Sequence, residues 1–584
     1  MTDRVDLLEE RVSALATAVA ALEARLAELG REPASAVQVR AEPERPDAAM
    51  TAREAFGGPA SEAAGSAPAA LVGRAFLGFG GAYLFRALTE AGTIPPLVGA
   101  VLGLAYAGAW ILAAERSGRR RRLPDAVLHA FLSLAVALPL LWEATVRIQA
   151  VSPLAAAALL SGIGAVVFAV AWRHDLASVA WAATLGAVGT AWGLLLATMR
   201  IELFTLLLIG FGAATLWATY GRRWHGLRWP AALAADFAVL ALVFLGGRSG
   251  GPPEAYADLS PGRAVFVALL LFVVYAGSFA VRTLARRRDV NVFEVFQTAA
   301  GLLVGYGGAV HLARAVGTRE AALGLAALVL SALGYAAAFG FVQRDAAGAR
   351  NFVFFSSLAL VLALTGGGLL VEGPALALVW AAFGVAAALL GARYCRRSLT
   401  AHGAAYVAAA CIPSGLLGQA ISAFVAPTVT APPRPGAATV AVAISATVSW
   451  VLTTRWRRRD PEAGGARFPA AVFLAVAAAG AGVGAIWAFA RFLPLEAMAP
   501  VRTLVLAAAA VGLAALSNRT GEEAAGWLAW AVLAAAALRV LLQDLPAGRP
   551  LPLFAGFVLC GLALLAVSSL GKRPDASSGQ EARS

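Results

Sequence analysis

The sequence predicts an all-α polytopic membrane protein, and three observations carry the prediction. From Leu71 to Leu570, apolar stretches of about 20 residues, the length of helix that crosses a bilayer, alternate with short polar breaks. Of 584 residues, 60% are hydrophobic and 14% charged, against about 45–50% and about 25% in soluble domains. The arginines concentrate in every second break.

The chain opens on a heptad seam. Val5, Leu8, Val12, Leu15, Val19, Leu22, Leu26 and Leu29 advance in steps of three and four, and Gly30 stands where a helix C-cap belongs. Valine at the first a positions with leucine at d favours a parallel two-stranded coil. The same residues would also suit an amphipathic helix lying on the bilayer, but such helices carry a basic polar face. This one is acidic on balance (Glu9, Glu10, Glu23 against Arg11, Arg25). Self-association through residues 1–30 is therefore the expectation. The same acidity, and the lack of a continuous apolar core, argue against a signal peptide.

Residues 31–69 collect Pro33, Pro43, Pro46, Pro59 and Pro68 among Ala, Gly, Ser and Glu. That composition reads as a flexible linker. Beyond it the bundle, residues 70–570, contains eighteen expected spans. They run 70–88, 93–113, 123–142, 151–172, 176–198, 201–220, 229–246, 262–282, 293–313, 320–342, 350–371, 374–393, 401–425, 436–454, 468–490, 499–517, 523–542 and 551–570. The first, with Arg74 and Arg86, is the least hydrophobic, and residues 571–584 read as a disordered cytoplasmic tail.

Arginine-rich breaks hold Arg119–Arg122, Arg222–Arg223, Arg286–Arg288, Arg396–Arg397 and Arg457–Arg459. Positive loops stay cytoplasmic, so both termini are expected in the cytoplasm. An even span count demands the same. Gly189/Gly193, Gly301/Gly305 and Gly480/Gly484 have the small-xxx-small spacing that lets membrane helices approach closely. Pro413, in the thirteenth span, and the Thr365–Gly368 segment are candidate helix breaks.

The net charge of +13 sits in short loops between spans, which excludes the one-sided basic footprint of a nucleic-acid binder. Lys572 is the sole lysine, and the arginine and alanine excess fits a GC-rich genome. Cys395, Cys411 and Cys560 have no metal-ligand spacing. Nucleotide-binding, zinc-protease, redox Cys-x-x-Cys and Gly-x-Ser-x-Gly signatures are absent. No catalytic residue, metal or cofactor is assigned.

Ionisable groups inside a membrane are costly and mark functional sites. Asp236, in Ala-Ala-Asp-Phe-Ala about a third of the way into the seventh span, is the leading candidate for a cation or proton site; a neutral or paired carboxylate is the structural alternative. His311 is a candidate proton carrier with Arg314 one turn on, although a histidine near a helix end is also a common hydrogen-bonding residue. Arg147, Arg200, Arg314, Arg491 and Arg539 sit where arginine snorkels, and Glu143 and Arg147 form an expected i,i+4 pair. Glu202, Glu294, Glu372 and Asp544 lie at span boundaries, where they are expected to be solvated.

Three segments carry a resemblance: Leu-Val-Gly-Arg-Ala-Phe-Leu-Gly-Phe-Gly-Gly (71–81), Asn-Val-Phe-Glu-Val-Phe-Gln-Thr-Ala-Ala-Gly-Leu-Leu-Val-Gly-Tyr-Gly (291–307), and Leu-Arg-Val-Leu-Leu-Gln-Asp-Leu (538–545) with Gly-Phe-Val-Leu-Cys-Gly-Leu-Ala-Leu-Leu-Ala (556–566). Together they resemble the bacterial membrane proteins catalogued as domain of unknown function 2339. Arg539, Asp544 and Arg549 are the nearest matches to that family's C-terminal pattern. The resemblance implies many spans in a bacterial inner membrane and no activity. Three functions follow from the whole: transport or lipid handling, a scaffold acting through the coil, and, more weakly, a membrane-embedded enzyme. Membrane lipid and a second copy of the chain are the expected partners.

Overall fold

A computed structural model describes residues 59–317, 320–341, 349–394, 396–425, 431–459 and 467–571. The heptad seam from Val5 to Leu29, residues 31–58, Cys395 and the tail beyond Gly571 lie outside the described residues. The chain divides between Leu77 and Gly78 into two compact units, and the described part of the first is helical.

Among the described residues the protein is helical, with no strand. Helix α1 (Pro59–Glu90) begins at Pro59 rather than near residue 70. Then come α2 (Pro96–Arg119), α3 (Leu123–Val146), α4 (Pro153–His174), α5 (Ala177–Thr198), α6 (Ile201–Tyr220) and α7 (Arg228–Gly246). Helix α8 (Pro261–Ala280) ends in a π-turn at Val281–Ala285. Helix α9 starts as Val292–Ala300, passes through a π-turn at Gly301–Tyr306 and continues over Gly307–Val316. The remainder are α10 (Glu320–Ala336, with a π-turn at Ala337–Phe341), α11 (Ala349–Leu370), α12 (Gly373–Tyr394), α13 (Arg397–Ala410), α14 (Leu416–Val425), α15 (Ala437–Arg459), α16 (Arg467–Ala490), α17 (Met498–Thr520), α18 (Glu523–Arg539, with a π-turn at Val540–Asp544) and α19 (Pro550–Gly571).

Among the described residues, sixteen helices are long and apolar enough to cross a membrane. The surface agrees: Phe237, Phe244, Leu303, Phe554 and Leu565 are among many large apolar side chains left exposed. Such a continuous apolar exterior would aggregate in water but suits hydrocarbon. The count differs from the eighteen expected at two places. Helix α1, diluted by Arg74 and Arg86, falls short of the apolarity of the others. The thirteenth stretch is two short helices, α13 and α14, separated by a turn at 411–415. Pro413 lies in that turn, Gly415 adopts φ +74°, and the Ser414 hydroxyl accepts from Leu416 N at 3.3 Å. The turn is pinned from outside, because Thr439 donates to the Ser414 carbonyl at 2.8 Å. Thr365–Gly368, by contrast, continues α11 unbroken.

In the first half of the chain the breaks meet in two groups, one richer in arginine than the other. On one face Glu115 binds Arg119, Arg173 and His174, joining the ends of α2 and α4. Arg222 donates to the Trp172 carbonyl, joining α4 to the end of α6. Arg282 stacks on Tyr220, bringing in α8, and Arg350 donates to Val290 O, adding the starts of α9 and α11. On the opposite face, arginine-poorer breaks meet: Arg86 with Glu143, Arg200 with Asp258, and Arg263 with Glu202. The expected Glu143–Arg147 pair also lies there, at 3.1 Å.

One large core runs from Ala114 to Leu312 and smaller ones fill the C-terminal half. Glycine permits a close helix approach at Gly305, where a Cβ would stand 2.7 Å from the Ala268 carbonyl oxygen of α8. Gly189 and Gly484 meet nothing, so of the three glycine pairs only Gly301/Gly305 places both members against a neighbouring helix backbone.

Candidate functional site

The polar interior of the first half is organised by the N-terminal turn of α9. Asn291 caps it, accepting from Glu294 N at 3.1 Å, while the Glu294 carboxylate accepts from Asn291 N at 2.9 Å. This reciprocal box satisfies two backbone donors and fixes the Glu294 side chain. Glu294 was expected to be solvated; it is fully buried. It holds Arg282 Nη1 at 2.7 Å from both oxygens and accepts from Tyr220 OH at 2.8 Å. Arg282 is brought to it by the π-turn that ends α8.

One turn further along α9, Gln297 donates to Asp236 Oδ1 at 2.8 Å. Asp236 is 7% exposed, and it lies about 12 Å into α7 from Arg228 at 1.5 Å per residue. It therefore stands near the middle of that helix, deeper than the sequence reading placed it. Its second oxygen, Oδ2, has no hydrogen-bond partner, nor has the hydroxyl of fully buried Tyr275 on α8. Gly212 of α6 makes room for the hydroxyl, which a Cβ there would overlap. A carboxylate, a carboxamide and a phenol thus meet among three helices in the bundle interior. Such a set can accept a proton or hold a small cation.

His311 and Arg314 do not join this site. His311 packs against Gly247 at the far end of α7, about 16 Å along the helix from Asp236. Arg314 is exposed and paired with Glu320 at 3.1 Å. Among the described residues no group of three or more His, Cys, Asp or Glu side chains could hold a metal ion.

Above Glu294, toward the arginine-rich face, opens a cavity of about 860 Å³ lined by Arg228, Arg282, Arg286, Arg288, His225 and Asn291, with aromatic walls from Tyr220, Trp229 and Phe293. Arg228 is 6% exposed; its Nε donates to the His225 carbonyl at 3.0 Å and its Nη2 lies 3.0 Å from His225 Nδ1.

A second charged cluster lies in the C-terminal half. Arg539, expected to snorkel, is instead 4% exposed, and Asp544, expected to be solvated, is 2% exposed. The π-turn after α18 brings them together at 3.4 Å. Arg539 also donates to Gln543 at 2.6 Å and to the Phe424 carbonyl at 2.9 Å, so the C-terminal end of the half-helix α14 faces a buried guanidinium. That is the favourable orientation of a helix dipole toward a cation. Fully buried Arg502 of α17 completes the cluster. Neither Arg502 nor Tyr275 was singled out by the sequence.

Comparison with protein-family models, with curated proteins and with solved structures finds no match for the chain.

Proposed function

We propose that the protein moves a solute or lipid through its bundle, with the Asp236–Gln297–Tyr275 group as the coupling site. The supporting observation is the pair of polar atoms, Asp236 Oδ2 and Tyr275 OH, sealed among α6, α7 and α8 without partners. An intramembrane carboxylate is costly to retain unless it is used. The split of α13 from α14 agrees, since interrupted helices and their termini build midplane sites in transporters. In this reading α1 and the α13–α14 pair complete eighteen crossings, both termini are cytoplasmic, and residues 1–30 pair two copies. Residence in a bacterial inner membrane follows from the resemblance to the family of domain of unknown function 2339.

The test is reconstitution of the full chain in liposomes. Movement of fluorescent phospholipids between leaflets and of a solute panel across the membrane would be recorded for wild type and Asp236→Asn. Activity in wild type that disappears in Asp236→Asn at equal incorporation is the expected result. Equal activity in the two would remove Asp236 from the mechanism. Inactivity of wild type throughout, with partners captured only when residues 1–30 are present, would favour a scaffold instead.

A further inference from the structure

We propose that the arginine cavity at the ends of α6 and α8 is a binding site for a phosphate-type anion at the membrane surface. The proposal goes beyond the transport reading and does not depend on Asp236.

Charge comes first. Four guanidiniums line the cavity, and one buried carboxylate, Glu294, lies against it, already committed to Arg282, Tyr220 and Asn291 N. The other nearby acid, Asp289, is exposed on the loop, and only its backbone carbonyl is engaged, by Arg282. Cationic charge therefore exceeds anionic charge in a concave, partly desolvated space, where its field is focused rather than screened.

The arginines are also held in place by aromatic stacking. Arg286 lies 5.1 Å over the Trp217 ring, Arg282 4.9 Å over Tyr220 and Arg228 5.1 Å over Phe293. Stacking of this kind fixes a guanidinium plane while leaving its in-plane N–H groups for an oxyanion. Arg228 is the decisive residue. It is more than nine-tenths buried and lines the cavity, His225 occupies its Nε and Nη2, and Nη1 has no partner. A buried guanidinium donor left unpaired is costly unless an acceptor completes it. The N-terminus of α7, which Arg228 begins, lacks a side-chain cap and adds the positive end of a helix dipole.

Bidentate, planar donors in a concave basic site match phosphate oxygens. The position at the helix ends of the arginine-rich face suits the headgroup phosphate of an acidic phospholipid, and the same chemistry admits free phosphate. Basic pockets between spans on the positive side recognise lipid headgroups in this way.

The test uses the full chain purified in mild detergent. Native mass spectra would be recorded with phosphatidylglycerol and with phosphatidylcholine, and inorganic phosphate would be titrated against tryptophan fluorescence, since Trp217 and Trp229 border the site. Wild type should retain phosphatidylglycerol over phosphatidylcholine, and Arg228→Gln should weaken that binding about tenfold or more, the loss of one charge-assisted donor. Arg286→Gln, at an exposed position, should weaken it several-fold, whereas Arg119→Gln in the separate Glu115 network should leave it unchanged. Displacement of the lipid by millimolar phosphate would identify a site that accepts either source, and phosphate binding without lipid preference would identify free phosphate as the ligand. Failure of wild type to bind either probe, or binding that survives both Arg228→Gln and Arg286→Gln, would overturn the proposal. Loss of phosphatidylglycerol binding in Asp236→Asn is not expected, which keeps this result separate from the coupling reading.

Discussion

Glu294 offers the sharpest test of how the first half of the bundle is held together. Glu294→Gln keeps the side-chain shape and removes the charge. Arg282, 17% exposed at its side chain and bound at 2.7 Å, would then face a carboxamide that presents an N–H where it met an oxygen. Breaking a buried ion pair by neutralising one partner costs about 3–5 kcal/mol. Loss of the reciprocal cap on Asn291 N lies within that range rather than on top of it, because the contacts act as a unit. Arg282→Gln should fall at the lower end, since Glu294 keeps Tyr220 and Asn291 N as donors. The double variant should cost less than the sum of the singles by about 1–3 kcal/mol, the coupling expected of groups in direct contact. Reversible unfolding in mixed denaturing and native micelles, followed by tryptophan fluorescence, measures all four corners of the cycle. Additivity to within about 0.5 kcal/mol would show that the pair does not stabilise the fold as its geometry indicates.

The C-terminal cluster makes a parallel claim. Asp544→Asn leaves Arg539 buried without its carboxylate and should lower stability by about 3–5 kcal/mol, read as earlier thermal aggregation or faster proteolysis in detergent. Gly305→Ala forces a Cβ onto the α8 backbone and should cost about 1–3 kcal/mol. Gly189→Ala, with open space at the same spacing motif, should stay within about 0.5 kcal/mol; similar melting of the two variants would refute the contact. At the interruption between α13 and α14, Gly415→Ala should cost about 1 kcal/mol for its left-handed backbone. Pro413→Ala should leave the turn in place, since Ser414 and Thr439 still hold it. Amide hydrogen exchange no faster than in wild type at Leu416 and Leu417, whose N–H groups bond the Ser414 hydroxyl and the Cys411 carbonyl, would show that the turn persists.

The long apolar helices were readable in the sequence because bilayer thickness imposes a length on each apolar run. Asp236 was readable as a carboxylate set in an apolar run, Ala-Ala-Asp-Phe-Ala, with a site and a paired structural role both open. Its partner was not: Gln297 is 61 residues away and meets it only through the packing of α9 on α7. Glu294 and Asp544 were misread because distance from a span end predicts solvation only where no neighbouring helix covers the end. The Asn291-x-x-Glu294 spacing is a capping box and could have marked Glu294 as engaged. Small-residue spacing was the least informative signal. It recurs wherever a chain is rich in glycine, and only the neighbour's position decides which copy is a contact.

Both charged pairs share one device. Arg282 sits within a π-turn, and the turn after α18 spans from Arg539 to Asp544. Each such turn takes up one residue more than an α-turn, and one residue is about 100° of rotation. The alignment of these charges is therefore a matter of chain length as much as of side-chain identity. Adding a residue beside Leu541 or Leu542, exposed side chains of no chemical interest, would swing Asp544 away from Arg539 as surely as replacing it, whereas removing one would leave the pair four apart, the spacing an α-turn aligns. Helices that look the most tolerant of change on their outer surface are, at these turns, intolerant of gaining a single residue.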